Sequence, residues 1–397
     1  MPKEYSPFTP GLPVPIEFFV GRQREVEQLR DKVVRSTHGQ FQVAFLSGER
    51  GIGKSSLASF VKFLVERNSK ALGLHTFLGG VTSLDEAVRR IFDRLLKESA
   101  EKPWHEKILD FFGNHIKQVG LFGVSLEFGA SREDLKRLAN DFVPALKNLM
   151  HRLKDDKNGI FIILDDINGL ASSRTFANWL KSLVDEIATD RDSLPLCLLL
   201  VGHEERRQSL ISIQPSLARV FDIIDIQAWS PEETKIFFKN AFSKIQVSID
   251  DDALSHMEYF TGGLPVLAHE IGDATFNIDS DNRIDVDDAL SGILWAAGIV
   301  GRKLLEPQVL RAIQSPLYTK ILRKAVTAEQ FQFRFLRREI IKLLDKDEEK
   351  VLDNFLRKMK DLNVIIGEGG GSYRFVNRLH HLYFRMEARR SEFRGDK

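Results

Sequence analysis

The stretch LSGERGIGKSSL, residues 46–57, decides the fold. Residues 48–55 match the pattern G-x-x-x-x-G-K-[ST], in which glycines let backbone N–H groups turn toward an anion. The apolar run FQVAFLS (41–47) predicts a strand before it, and the apolar spacing in SLASFVKFLVERN (56–68) predicts a helix after it. A helix N-terminus adds partial positive charge, so the order of strand, loop and helix predicts a phosphate-binding loop.

The residues of this loop have distinct expected roles. Lys54 would reach the β- and γ-phosphates of a nucleotide, and the hydroxyl of Ser55 would bind Mg²⁺. ATP or ADP together with Mg²⁺ are therefore the predicted cofactors. The nucleotide-binding residues predicted in the loop are Gly48, Glu49, Arg50, Gly51, Ile52, Gly53, Lys54, Ser55 and Ser56.

A second, acidic motif supplies a partner for the magnesium ion. Five apolar residues, 160–164, precede Asp165 and Asp166, and so short an apolar run is typical of a strand buried on both faces of a parallel sheet. Ligands bind at the carboxyl ends of such strands. We expect Asp165 to hold Mg²⁺ through water and Asp166 to polarise the attacking water. A helix-capping or turn role for Asp166 is also compatible with the sequence.

Three further apolar segments complete a predicted sheet. They are LGLHTFLGG (72–80), LPLCLLLVGHEE (194–205) and FDIIDIQAW (221–229). Because helical segments alternate with these strands, the fold class is α/β, with a parallel five-stranded core sheet of the P-loop NTPase type.

Composition limits the class of protein. The chain has 397 residues, of which 43% are hydrophobic and 28% charged, as in an ordinary globular protein of two or three domains. The single cysteine, Cys197, cannot form an internal disulfide, which favours a reducing, cytoplasmic location. No apolar run approaches the roughly 20 residues that span a bilayer, so we expect no membrane partner.

Four stretches stand out in this order along the chain: FFVGRQREVEQL (18–29), GERGIGKSS (48–56), IFIILDD (160–166) and TGGLPVLAHEIG (261–272). Together they resemble the STAND-type ATPases, within the AAA+-related group that also holds the replication-initiator ATPases. This resemblance implies that the backbone of Val20, Gly21 and Arg22 lies beside the adenine. It also implies that Gly263 and Pro265 belong to the GxP motif of a helical lid.

The resemblance implies further roles near the γ-phosphate. An additional strand would lie between the strands that carry the two Walker motifs, with His203 at its tip as a candidate γ-phosphate sensor. Arg219, just before the last core strand, would reach the γ-phosphate of a neighbour in a homo-oligomer. The Asp-Asp pair departs from the commoner Asp-Glu pair and favours a slow, Mg-dependent ATPase that acts as a switch.

Simpler roles fit some of the same residues. Arg22 can be a solvated arginine at a helix start, and Pro265 can simply begin a helix, where its missing N–H costs nothing. His203 can be a surface histidine at a turn. Spacing alone gives neither a metal-ligand cluster nor a nucleophilic triad.

The domain prediction has four parts, of which the last has the outline of a winged helix. Helices are expected at 315–326, 333–345 and 347–363, followed by a hairpin at 364–377. The parts are an extended arm at 1–17, an ATPase core at 18–229 with an insert at 111–135, a helical lid at 230–300 and the winged helix at 301–397.

Basic residues are concentrated in the last part, which has 22 lysines and arginines against 13 acids. Such a surplus suits an anionic partner or a solvated basic surface.

Two functions are compatible with the sequence. One is a STAND-like switch whose nucleotide state controls assembly or a separate effector protein. The other is an ATPase of the initiator, loader or transposition-regulator kind that binds double-stranded DNA through 301–397. Candidate phosphate contacts are Lys350, Arg357, Lys358, Lys360, Arg374 and Arg378.

Overall fold

The computed structural model describes residues 5–12, 14–16, 19–115, 132–313, 315–327 and 333–394. The chain divides into two compact units, Pro13–Gln227 in the first and Met1–Leu12 with Ala228–Lys397 in the second. Most of the insert predicted at 111–135 lies outside the described residues. Among the helices that are described, none combines the length and the apolar character needed to cross a membrane.

The first unit is built on a parallel sheet of five strands in the order β2-β3-β4-β1-β5. All five predicted strands are confirmed, and so is the α/β class. The additional strand, β4, lies between β1 and β3 as expected. The strands are β1 (Gln42–Gly48), β2 (Ala71–Phe77), β3 (Gly159–Asp165), β4 (Leu196–Val201) and β5 (Asp222–Ile226).

Helices cover both faces of this sheet, which is why its central strands are apolar without alternation. Every residue of β3 and β4 is buried. Cys197 lies within β4, and burial raises the pKa of its thiol to about 12, so this cysteine is a packing residue. The helices are α1 (Gln23–Thr37), α2 (Lys54–Asn68), α3 (Leu84–Ser99), α4 (His105–His115), α5 (Arg132–Asn140), α6 (Phe142–Leu153), α7 (Arg174–Thr189) and α8 (Glu204–Ile213).

The second unit begins, after β5, with four helices. Ser230 and Glu233 form a capping box at the first of them, which fixes where this helix begins. The segment between the first two helices pairs with the segment between the last two. Their strands, β6 (Ser248–Ile249) and β7 (Arg283–Ile284), are parallel and two residues long. The helices are α9 (Pro231–Lys244), α10 (Asp251–Thr261), α11 (Pro265–Ile278) and α12 (Val286–Val300).

A π-helix, Gly301–Leu310, leads into a second group of helices with a small antiparallel sheet in the order β8-β10-β9. Two of the three predicted helices and the hairpin are confirmed here. The elements are α13 (Pro316–Thr327), β8 (Arg334–Leu336), α14 (Arg337–Ile341), α15 (Lys346–Asp361), β9 (Ile365–Gly369), β10 (Ser372–Phe375) and α16 (Arg378–Arg394).

The predicted helix at 333–345 is wrong over its first part. Arg334–Leu336 instead form β8, because they pair with β10 and bury Phe335 beneath the small sheet. Arg378, a candidate phosphate contact just after the predicted hairpin, is the first residue of α16. Its guanidinium donates to the carbonyl of Tyr259 at 2.7 Å and stacks on that ring.

The segment 5–12 packs into the second unit, although the whole first unit separates them along the chain. Phe8 is buried, with its ring centroid 5.8 Å from that of Phe237 and 5.1 Å from that of Phe242. The backbone N–H of Thr9 donates to Nδ1 of His269 at 3.0 Å. A side chain at Gly272 would come within 2.4 Å of the Phe8 ring, so the helix keeps a glycine there.

Replacing Phe8 by alanine is therefore expected to destabilise the second unit. Deletion of a buried phenylalanine side chain typically costs about 3–5 kcal/mol through lost burial and the remaining cavity. Calorimetry should show a lower melting temperature for one transition. Leu12→Ala is the matched control, because Leu12 is 70% exposed. Identical melting profiles for Phe8→Ala and the wild type would contradict the packing role.

Candidate nucleotide-binding site

The conformation of the loop between β1 and α2 depends on glycines. Gly51 and Gly53 have φ of +79° and +94°, in the left-handed region that other residues rarely adopt. Gly53 precedes α2, and no side chain in the described part of the chain caps that helix. The first backbone N–H groups of α2 therefore have neither a helical nor a side-chain acceptor, which is the arrangement that binds anions.

Lys54 is the first residue of α2, and its side chain extends back to the start of this loop. Its Nζ donates to the carbonyl oxygens of Gly48 and Glu49, both at 2.8 Å. Burial lowers the pKa of Lys54, and the nearby carboxylates of Asp165 and Asp166 oppose that shift. The structure thus brings the lysine of one motif and both acids of the other into one electrostatic group.

The two serines that follow Lys54 differ in their contacts. Ser55 is the second residue of α2 and is half-buried. The Ser56 hydroxyl accepts a hydrogen bond from the backbone N–H of Val14 at 3.1 Å. The Ser56 side chain is thereby engaged by the segment that precedes α1, so its predicted contact with nucleotide rests on its backbone N–H.

Asp165 and Asp166 end β3 in different environments. Asp165 is buried, and its Oδ2 accepts a hydrogen bond from Nε2 of His75 at 2.8 Å. Asp166 is exposed, with φ of +58°, a strained backbone conformation that is common at functional sites. Its Oδ1 accepts from Asn168, and a side chain at Gly79 would come 2.9 Å from its Oδ2. Gly79 therefore leaves the room that the Asp166 carboxylate occupies.

His203 follows β4 and precedes α8. Burial together with the charge of Lys54 lowers its pKa, and the backbone of Gly48 opposes that shift. The candidate sensor therefore lies near the phosphate-binding loop, and its lowered pKa favours the neutral imidazole. A neutral imidazole can still donate one hydrogen bond to an anion.

Arg22 is buried, so its reading as a solvated helix-start arginine is wrong. Its guanidinium donates to the carbonyl of Ile52 at 3.1 Å and to that of Gln227. This side chain therefore ties the phosphate-binding loop to the segment that follows β5. Val20 and Gly21, the other two residues predicted beside the adenine, lie just before it and are half-buried.

The two remaining predicted site residues, Arg219 and Pro265, belong to other elements. Arg219 ends a short 3₁₀ helix, Pro215–Arg219, and is exposed. Within the described residues it makes no hydrogen bond or ion pair, and its action on a neighbouring copy stays a prediction. Pro265 lies in the second unit at the first position of α11, as its simpler reading predicted.

Sequence reasoning missed His75 and Ser59. His75 lies in the middle of β2, 3% exposed, with Nε2 on Asp165 and Nδ1 3.0 Å from the hydroxyl of Ser59. The available signal was a titratable residue inside an otherwise apolar strand, since buried polar groups normally have partners.

Other sites do not compete with this one in the described part of the chain. No group of three or more histidine, cysteine, aspartate or glutamate side chains could hold a metal there. A shallow cavity of about 370 Å³, lined partly by His38, Lys157 and Pro195, lies at the amino ends of the strands, away from the loop.

Comparison with known families agrees with this geometry. The family model of the AAA ATPase domain matches residues 19–213. Residues 19–213 have the sequence pattern of an AAA ATPase domain. The match includes α1, both Walker motifs and His203, and the chain is accordingly an ATPase. No curated protein sequence matches it.

Solved structures support the fold of this ATPase. The Walker-type ATPase PABY2304 of Pyrococcus abyssi is 18% identical and has a TM-score of 0.53, with 92% of this chain and 96% of that one covered. The ORC2 protein of Aeropyrum pernix, solved with ADPNP and ADP, is 13% identical with a TM-score of 0.56, covering 99% and 97%. At these identities the likeness shows the fold alone.

Lys54→Ala should weaken nucleotide binding without unfolding the protein. Among the described residues, Nζ bonds only to the carbonyls of Gly48 and Glu49 and interacts electrostatically with the two acids. We expect a loss of at least about tenfold in affinity for ADP, measured by isothermal titration, which corresponds to about 1.4 kcal/mol. Arg50→Ala is the matched control, since Arg50 is an exposed loop residue expected to act through its backbone. Equal losses in both variants would contradict the role of Lys54.

Proposed function

We propose that the chain is a slow, Mg-dependent ATPase of the STAND type, in which nucleotide state controls assembly or the binding of a separate effector protein. The observation that carries this proposal is the convergence of Lys54, His203 and the two acids on one anion-binding loop. The second unit would supply the response, with the helices between 230 and 300 as a lid and 301–397 as a winged helix.

The residues present fit Mg²⁺. Ser55 offers a hydroxyl in the first turn of α2, and Asp165 offers Oδ1, which makes no hydrogen bond within the described residues. Mg²⁺ usually takes one or two protein ligands and completes its shell with water and phosphate oxygens. When bound, it neutralises charge on the β- and γ-phosphates.

The protein's own residues bind the phosphates, orient the attacking water and sense the γ-phosphate. The N–H groups at the start of α2 bind the phosphates, and Lys54 places its charge beside them. Asp166, exposed at the end of β3, accepts a hydrogen bond from the attacking water and orients it. His203 senses the γ-phosphate, and Arg219 of a second copy adds positive charge to it. The Asp-Asp pair favours slow turnover, as a switch requires.

A second candidate function is binding of double-stranded DNA. Arg357, Lys358 and Lys360 lie on α15 and make no ion pair with any residue that the structure describes. The other candidate cations are engaged: Lys350 pairs with Asp347, Arg374 with Glu368, and Arg378 bonds to the backbone of Tyr259. Half of the predicted phosphate contacts are thus held internally, which favours the switch over the DNA-binding ATPase.

Asp166→Asn is expected to keep ATP binding and slow hydrolysis. General base or water-orienting groups typically contribute about 10²–10⁴-fold to rate, so we expect a loss of about that size in single-turnover hydrolysis. Gly79→Ala should also slow hydrolysis, because the added Cβ would come 2.9 Å from Oδ2 of Asp166 and displace that carboxylate. Wild-type hydrolysis in both variants would assign Asp166 to structure.

The DNA alternative has its own test in the full chain. Arg357→Glu with Lys358→Glu should abolish binding to duplex DNA if these residues contact phosphates, and wild-type binding should weaken steeply with salt through counterion release. Fluorescence anisotropy at two salt concentrations measures both. Lys350→Glu is the control, because Lys350 is already paired with Asp347. Absence of binding at low salt would exclude the DNA function and leave the switch.

A further inference from the structure

Three side chains from three neighbouring elements form a buried hydrogen-bonded chain beside the candidate site. Ser59 lies on α2, His75 on β2 and Asp165 on β3. The Ser59 Oγ is 3.0 Å from Nδ1 of His75, and Nε2 of His75 is 2.8 Å from Oδ2 of Asp165. His75 and Asp165 are almost fully buried, 3% and 2% exposed.

The strand register explains how this contact arises. His75 lies opposite Ile163, and Phe77 lies opposite Asp165. In a parallel pair, residues two apart on each strand share a face, so His75 and Asp165 are diagonal neighbours on one face of the sheet. The ring of His75 also stacks on Phe77, with centroids 4.4 Å apart and planes at 23°. The imidazole is therefore held on both its edge and its face.

The direction of the hydrogen bonds follows from the acid. An ionised Asp165 can only accept, so Nε2 of His75 must carry the proton. The remaining ring nitrogen, Nδ1, is then an acceptor in the neutral imidazole and takes the proton of the Ser59 hydroxyl. Each of the two hydrogen bonds among these three side chains thus has a defined donor and acceptor. The oxygen of Asp165 without a described partner is Oδ1.

We propose that His75 is a positioning residue for the metal site: it orients the carboxylate of Asp165 toward Mg²⁺, and Ser59 fixes the tautomer of His75. This inference rests on the proposed function, since it assigns Asp165 to the metal. Partners that orient a metal-binding carboxylate typically contribute about 10–100-fold to metal affinity or activity. The arrangement also links α2, which begins at the phosphate-binding loop, to the acid on β3.

The test compares two substitutions at one position. His75→Leu fills the space but removes the donor, whereas His75→Gln can still place an N–H near Oδ2. Two measurements distinguish metal binding from nucleotide binding. One is Mn²⁺ binding to the ADP complex, monitored by electron paramagnetic resonance, and the other is ADP affinity in EDTA. We expect His75→Leu to weaken Mn²⁺ binding about tenfold or more and to leave ADP affinity in EDTA unchanged. His75→Gln should retain most of the Mn²⁺ affinity.

Several outcomes would overturn the inference. Wild-type Mn²⁺ affinity in His75→Leu would do so, and so would equal losses in the Leu and Gln variants, since shape and not the donor would then matter. If His75→Leu fails to fold, Ser59→Ala decides, because it removes only the hydroxyl and should still weaken Mn²⁺ binding. No Mg-dependent nucleotide binding by the wild type would overturn the proposed function as well, whereas an unchanged Leu variant would overturn the role of His75 alone.

Discussion

The parallel register of β1, β4 and β3 is the constraint on which the site depends. Leu46 pairs with Val201, and Val201 pairs with Asp165, so these three residues lie at one level across the sheet. The chain leaves each strand just beyond that level. The phosphate-binding loop, His203 and the two acids therefore emerge along one edge, at the carboxyl ends where parallel sheets bind ligands. An antiparallel neighbour would have placed one of these groups at the opposite edge.

Burial of polar groups makes this edge rigid. An unpaired polar group in the interior is costly, and the cost is met here by specific partners. Asp165 is bonded to His75, and Arg22 to the carbonyls of Ile52 and Gln227. Asp166 differs because it is exposed and held in a left-handed conformation. The acid assigned to metal is thus fixed, and the acid assigned to water faces solvent.

In the second unit, the number of basic residues exceeds the number that are available to bind a partner. The region 301–397 is rich in lysine and arginine, yet the structure pairs several of them with acids or with backbone carbonyls. Surface ion pairs contribute little to stability, but they lower the positive potential that a nucleic acid would meet. Among the six candidate phosphate contacts, the three that make no ion pair with any described residue are Arg357, Lys358 and Lys360 on α15, and they are the ones that distinguish the two candidate functions.

Local sequence pattern determined the strand, loop and helix around Lys54, the five core strands and the end of β3 at two acids, because each depends on neighbours within a few residues. The resemblance to AAA+-related ATPases placed β4 between β1 and β3 correctly. Only the tertiary structure decided that His75 holds Asp165, that Arg22 is buried against Ile52, that Phe8 joins the second unit and that 334–336 form a strand. In each of these cases the deciding partner is distant in the chain. A histidine in a strand or a phenylalanine in a proline-rich segment has the same local pattern whether or not that partner is present, and folding alone brings the two together.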